Sequence, residues 1–192
     1  MGRRISTSGT SSALDPRLLI VGGVLVVGAI VLVVVLLFAG NSGTRIGQRM
    51  PDEGGTHVPQ CEPGNYSSVP PTSGCHLDTP AEWGVYSSAQ DEVQLIHNLE
   101  HGGIVIWYQP DQLDAAGVQA LTDYVQQQVR SAKFKVILSP WSGDDFEHPI
   151  AVTAWNWLLF LDSADIGQVR AFLDDHYGEA PEPLGGPAQP AQ

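Results

Sequence analysis

The sequence predicts a small α/β layered domain preceded by one membrane-spanning helix. Three features predict it: an unbroken apolar run near the N-terminus, a long Pro- and Gly-rich stretch, and helical periodicity alternating with β-branched runs beyond it. The 192 residues leave room for one ordinary domain plus an anchor and tails. The expected organisation is a cytoplasmic tail over residues 1–17, a transmembrane helix over 18–38, a linker over 39–56, the α/β domain over 57–182 and a disordered tail over 183–192.

From Leu18 to Phe38 no side chain is charged or polar. Those 21 residues, at about 1.5 Å each, cover roughly 31 Å, which suits a hydrocarbon core of about 30 Å. Only a helix satisfies its own backbone in lipid. A cleaved signal peptide is the rival reading, but its apolar part spans only about 7–15 residues and ends at a small-residue cleavage site. No clear site of that kind follows Phe38, so an uncleaved signal anchor is expected.

Arg3, Arg4 and Arg17 precede the span and Arg45 and Arg49 follow it, a narrow positive-inside margin that puts the N-terminus in the cytoplasm. Beyond the span, six Lys and Arg face twenty acidic residues. That balance repels nucleic-acid phosphates and anionic headgroups, so nucleic acid is excluded as a partner class. The expected location is the cell membrane, with the domain outside the cytoplasm. Partners other than the membrane itself are not named by the sequence.

Cys61 and Cys75, the only cysteines, enclose a Pro-, Gly- and Ser-rich segment. In an oxidising compartment they suit a structural disulfide worth about 2–3 kcal/mol; two free thiols in a cytosolic domain is the alternative. Their spacing is not the C-x-x-C of a redox dithiol.

Residues 57–81 read as loop, broken by Pro59, Pro63, Gly64, Pro70, Pro71, Gly74 and Pro80. A strand is expected at Val85-Tyr86. From Asp91, Val93, Ile96 and Leu99 recur at helical steps until Gly102-Gly103 closes the run. Ile104 to Tyr108 is a β-branched and aromatic strand stopped by Pro110. Asp111 is expected to cap a helix to about Ser131, and Val136 to Leu138 to form a strand. IAVTAWNWLLFL, from Ile150, reads as one long central strand with Trp155 and Trp157 on the same face. Ser163 is expected to cap a last helix that ends at Gly178. This element order fits an α/β layered domain. It is the minimal order of a thioredoxin-like sheet, with a ferredoxin-like sandwich as the alternative.

Four of the six histidines, His57, His76, His97 and His101, fall within 45 residues. His97 and His101 are four apart on the first expected helix, so both rings reach one ion from one face. His76, beside the expected disulfide, and His57, across the same loop, complete a candidate metal site, with Glu100 as an additional ligand. Imidazoles suit copper or zinc rather than calcium or magnesium. Met50 is the only methionine beyond the anchor, which argues against copper(I). His97-Asn98-Leu99-Glu100-His101 also matches the H-x-x-E-H of inverted zinc proteases, but Gly102-Gly103 and a strand follow where that helix should continue. Ser73, in Pro70-Pro71-Thr72-Ser73-Gly74, reads as part of a rigid turn rather than as a nucleophile.

These motifs carry a resemblance. His57-Val58-Pro59, Tyr66, Pro70-Pro71-Thr72-Ser73-Gly74-Cys75-His76, Gly84-Val85-Tyr86, His97-Asn98-Leu99-Glu100-His101-Gly102-Gly103, Ile106-Trp107-Tyr108 and Ala154-Trp155 resemble a family of membrane-anchored bacterial proteins of unknown function. The resemblance spans about His57 to Glu182. It implies that the four histidines belong to the family's pattern, and it carries no catalytic residue and no cysteine pair. Two functions stay open, a metal-binding domain and a non-enzymatic accessory protein of a membrane complex with structural histidines. A metal-dependent hydrolase is a third.

Overall fold

The structure is a computed structural model that describes residues 45–58, 65–143 and 146–190. The expected tail and membrane span lie outside the described residues. Among the described residues, no helix is long and apolar enough to cross a membrane.

The described residues build a mixed α/β domain of six strands and three helices. The strands are β1 (Gln48–Arg49), β2 (Gly84–Val85), β3 (Ile104–Tyr108), β4 (Val136–Pro140), β5 (Ile150–Ala154) and β6 (Trp157–Leu161). Helices α1 (Glu92–Glu100), α2 (Ala115–Gln128) and α3 (Ile166–His176) complete it. The sheet order is β1-β6-β5-β3-β4-β2. β2, β4 and β3 run parallel, whereas β3, β5, β6 and β1 alternate in direction.

Both faces of this sheet are covered, which is why β3, β4 and β5 are buried at every position. One face, with Ile104, Ile106, Val136, Leu138 and Val152, packs on Leu121 and Val125 of α2 and on Val169, Phe172 and Leu173 of α3. The other face, with Val105, Trp107, Ile137 and Ala151, packs on Leu95, Ile96 and Leu99 of α1, beside Trp83, Trp141 and Trp155. Ile96 and Leu99 of the stripe read from the sequence thus dock α1, with Leu95 in place of Val93 in that core.

Several boundaries differ from the sequence expectations. Asp91 caps α1, its carboxylate accepting from Val93 N–H at 2.9 Å. α2 is capped by Asp114 rather than Asp111, because Gln109 first closes a turn by accepting from the N–H groups of Gln112 and Leu113. α3 is capped by Asp165 rather than Ser163, and Asp165 accepts from Gln168 N–H at 3.1 Å. The early strand is Gly84–Val85, and β4 extends to Pro140.

The expected single long strand from Ile150 is a hairpin. Ala154 pairs with Trp157, leaving Trp155-Asn156 as a two-residue turn in which Asn156 holds φ at 63°. Asn tolerates the left-handed region better than most residues. The turn is clamped from outside: Asn156 N–H donates to Thr72 O, and its carbonyl accepts from Met50 N–H. Trp155 and Trp157 therefore lie in the two different cores.

Residues 45–56, expected as a linker, belong to the domain. β1 adds to the sheet edge on β6, Ile46 N–H donates to Asp175 at 2.8 Å, and Arg45 pairs with Glu179. Main-chain pairing at β1 and the acidic side chains of Asp175 and Glu179 hold this stretch, with Ile46 and Met50 packed on the two cores. Residues 183–190, expected as a disordered tail, also run against the domain: Trp83 Nε1–H donates to Pro187 O at 3.0 Å, and Gln189 bonds the Val129 carbonyl.

His176 sits at the end of α3, 1% exposed, stacked on Trp157 and tilted against Phe172 with ring centroids 4.4 and 4.5 Å away. Its Nε2–H donates to Ile46 O at 2.8 Å, which leaves Nδ1 as an unprotonated, buried acceptor. Burial pushes its pKa below the usual 6.5, although the Ile46 carbonyl pulls the other way. The folded chain therefore binds fewer protons here than the unfolded chain. The contribution of His176 to stability is complete above about pH 6.5 and is lost as the pH falls toward the lowered folded value. Urea unfolding at pH 7.5 and 5.5 should show stability declining with acid, and His176→Phe should flatten that slope; an unchanged slope refutes the assignment.

Candidate metal centre

The site is built by three segments. Residues 54–57 run beside 74–76 as a short parallel ladder: Gly74 N–H donates to Gly54 O, His76 N–H to Thr56 O, and Val58 N–H to His76 O. This pairing lays His57 next to His76. The last turn of α1 supplies His97, Glu100 and His101, and Leu77, which donates to Val93 O, ties the loop to that helix.

The rings converge. His57, His76 and His97 each offer a ligand nitrogen, and these atoms lie within 4.8 Å of one another. Ring centroids are 4.5 Å apart for His57–His76, 4.7 Å for His57–His97 and 5.1 Å for His76–His97. Two nitrogens bound tetrahedrally to one zinc at about 2.0–2.1 Å are roughly 3.3 Å apart, so a modest inward shift closes the triangle. His57, whose side chain is 35% exposed, has the freedom to make it; His76 is fully buried. His101 meets the cluster through His97, with the two Nε2 atoms 2.8 Å apart. Glu100, 3% exposed, places one carboxylate oxygen 3.1 Å from His57 Nε2 and 3.0 Å from His76 Nε2.

The other ring nitrogens decide what these atoms can do. His76 Nδ1 faces Gly74 O at 2.8 Å, His97 Nδ1 faces Leu77 O at 2.7 Å, and His101 Nδ1 faces Glu182 O at 3.0 Å. A main-chain carbonyl only accepts, so each Nδ1 carries the proton and donates it. In the neutral rings every Nε2 is then a lone pair aimed into the cluster. Two lone pairs 2.8 Å apart at His97 and His101, and a third facing a carboxylate at His76, need a cation among them, either protons or a metal ion. Burial pushes the pKa of His97 down; the Leu77 carbonyl opposes this, and His101, His76 and His57 lower it further. Burial thus favours the neutral form of His97, the form that ligates.

The rest of the HNLEHGG segment is structural. Asn98 is fully buried and brackets one residue of the preceding loop: its Nδ2 donates to Ala81 O at 2.8 Å and its Oδ1 accepts from Ala81 N–H at 2.9 Å. Gly102 turns the chain at φ 75° with Gly178 so close that a Cβ would lie 2.7 Å from its Cα. The helix ends at Glu100, unlike the continuous helix that the inverted protease pattern requires. Ser73 is fully buried, its Oγ accepting from Glu53 N–H and donating to Pro51 O, which makes it a fastening of the turn.

All four expected histidines and Glu100 thus meet at one place, with three histidines in the tight group and His101 and Glu100 against it. Cys75 is not a free cysteine, and its expected disulfide partner Cys61 lies outside the described residues. Sequence reasoning missed the Gly74, Leu77 and Glu182 carbonyls that orient the rings, because a main-chain acceptor has no residue signature. It also missed Trp155, which meets His76 edge-on at 6.5 Å.

An α/β domain with an imidazole-rich, carboxylate-bearing cluster between a loop ladder and a helix end is the class defined so far. The chain belongs to the family described as "Protein of unknown function (DUF3105)", whose model matches residues 57–189. No curated protein matches, and no solved structure does.

Asn98→Ala should leave the Ala81 N–H and C=O unpaired in the interior and destabilise the domain by about 2–5 kcal/mol. Urea denaturation of the full chain measures this; a loss under about 1 kcal/mol would show that the bracket contributes little.

Proposed function

We propose that this chain is a single-pass membrane protein whose extracytoplasmic domain binds a transition metal, copper or zinc, through His57, His76 and His97, with His101 and Glu100 completing the set. One observation carries the reading: three rings donate Nδ1–H to main-chain carbonyls and so direct Nε2 inward. Proteins orient metal-binding imidazoles in this way, and the outer bond also raises ligand basicity. Nitrogen donors with one carboxylate favour zinc or copper(II) over calcium and magnesium. Met50 lies on the core around α1, and the tight group found among the described residues is made of imidazoles alone, which speaks against copper(I).

The apolar run over 18–38 supports the anchor, and the acidic balance after it supports the exterior location. For the fold, a thioredoxin-like reading draws support from the order β2-β4-β3-β5-β6, with three parallel strands beside an antiparallel pair. The ferredoxin-like alternative draws less support, because its β-α-β-β-α-β order is not among the described elements. A Cys61–Cys75 disulfide would pin the loop that carries His76.

The second reading, an accessory protein with structural histidines, draws on Glu100, which can satisfy His57 and His76 by sharing protons. Metal analysis of the purified full chain separates the two. The metal reading expects near-stoichiometric copper or zinc, lost on dialysis against a strong chelator and restored by the metal alone. His97→Ala should abolish retention while the chain stays folded; a wild-type chain that takes up no copper, zinc or iron overturns the reading. Thiol alkylation in denaturant should label no cysteine until a reductant is added, and labelling without reduction would refute the disulfide.

A further inference from the structure

We propose that residues 179–187 form a clasp that fixes His101 as an inward-facing metal ligand, an inference that rests on the metal-binding reading. The argument begins where α1 ends. Glu182 meets that helix end with both main-chain groups: its N–H donates to Glu100 O at 3.0 Å and its carbonyl accepts from His101 Nδ1–H at 3.0 Å. One residue thus satisfies an otherwise open helix carbonyl and sets the tautomer of the neighbouring ring.

The following residues hold the ring in place. A Cβ on Gly185 would lie 2.3 Å from His101 Cε1, so only glycine lets the chain lie against the imidazole. Lys135 Nζ gathers three carbonyls, His101 O at 2.8 Å, Pro183 O at 2.7 Å and Gly185 O at 2.9 Å, and so joins the clasp to the end of α1. Trp83 Nε1–H secures Pro187 O beyond them. Apolar burial contributes little to the segment: Ala180 is partly buried against the core around α1, but Leu184, its one large aliphatic side chain, is fully exposed at 101%. The clasp is fastened by polar bonds and by contact with the ligand ring itself. Its docking and metal binding at His101 Nε2 therefore favour each other, because a metal on Nε2 strengthens the Nδ1–H···O bond and the two effects are reciprocal.

The test uses the full chain in detergent micelles, a chain ended after Pro181, and Gly185→Val, each with and without His101→Ala. In metal-free protein, long-range 1H–15N spectra should show His101 Nδ1 fully protonated in the intact chain, with any proton of the His97–His101 pair shared at Nε2, and Nδ1 only partly protonated in the two altered chains. Copper(II) titration followed by electron paramagnetic resonance should show one imidazole nitrogen lost and affinity reduced about 10–100-fold in each altered chain. With His101→Ala present, the same alterations should change affinity by less than about twofold, because the clasp acts through that ring. Urea midpoints show whether the altered chains remain folded, and Gly185→Val decides the matter if the shortened chain does not. Unchanged Nδ1 protonation, or an equal loss of affinity with and without His101→Ala, overturns the clasp. A fully protonated Nδ1 in a wild-type chain that binds neither copper(II) nor zinc leaves the clasp standing and overturns the metal reading.

Discussion

The cluster depends on a proton placement made three times over, in which the Nδ1–H groups of His76, His97 and His101 donate to the carbonyls of Gly74, Leu77 and Glu182. Each bond removes a rotational and tautomeric choice from a buried imidazole. With those choices removed, the remaining nitrogens face one another and Glu100 as acceptors. Buried acceptors without a donor are costly, so the arrangement calls for positive charge at its centre. The polarity of the interior here is therefore directional, set by the backbone around it.

The rest of the domain brings those three carbonyls to the right places. α1 is seated by Leu95, Ile96 and Leu99 on one face of the sheet, which puts its last turn beside the loop ladder. Asn98 fastens that loop at Ala81, and Ser73 fastens the turn before His76. The opposite face, packed on α2 and α3, makes the sheet a rigid platform with both sides covered. Two segments that look like polar connectors, one before the ladder and one after α3, complete the assembly through main-chain bonds. Rigid elements holding a site from several sides keep ligand geometry precise enough for metal chemistry.

Much of the framework was legible because side-chain pattern encodes it. α1 and β3 were expected within a residue or two, since period-3 apolar spacing and a β-branched run report burial directly. The hairpin of β5 and β6 was not, because Trp155-Asn156 interrupts the apolar run without Gly or Pro, and its turn is held by Thr72 and Met50 from elsewhere in the chain. The helix caps shifted to Asp114 and Asp165 for a similar reason: several nearby residues can cap, and the neighbouring turns decide which one does.

From the residues alone came the apolar run, the acidic balance beyond it, the α/β class, and the four histidines with Glu100 as one candidate set. Those properties follow from side-chain identity and spacing, which a linear chain carries openly. Only the tertiary structure decided that His57, His76 and His97 form the tight group and that His101 joins through His97. It alone decided that Glu100 turns to His57 and His76, and that Glu182 holds the last ring. The reason is physical: main-chain carbonyls orient these imidazoles, every residue has such a carbonyl, and only the folded path of the chain selects which ones the rings meet.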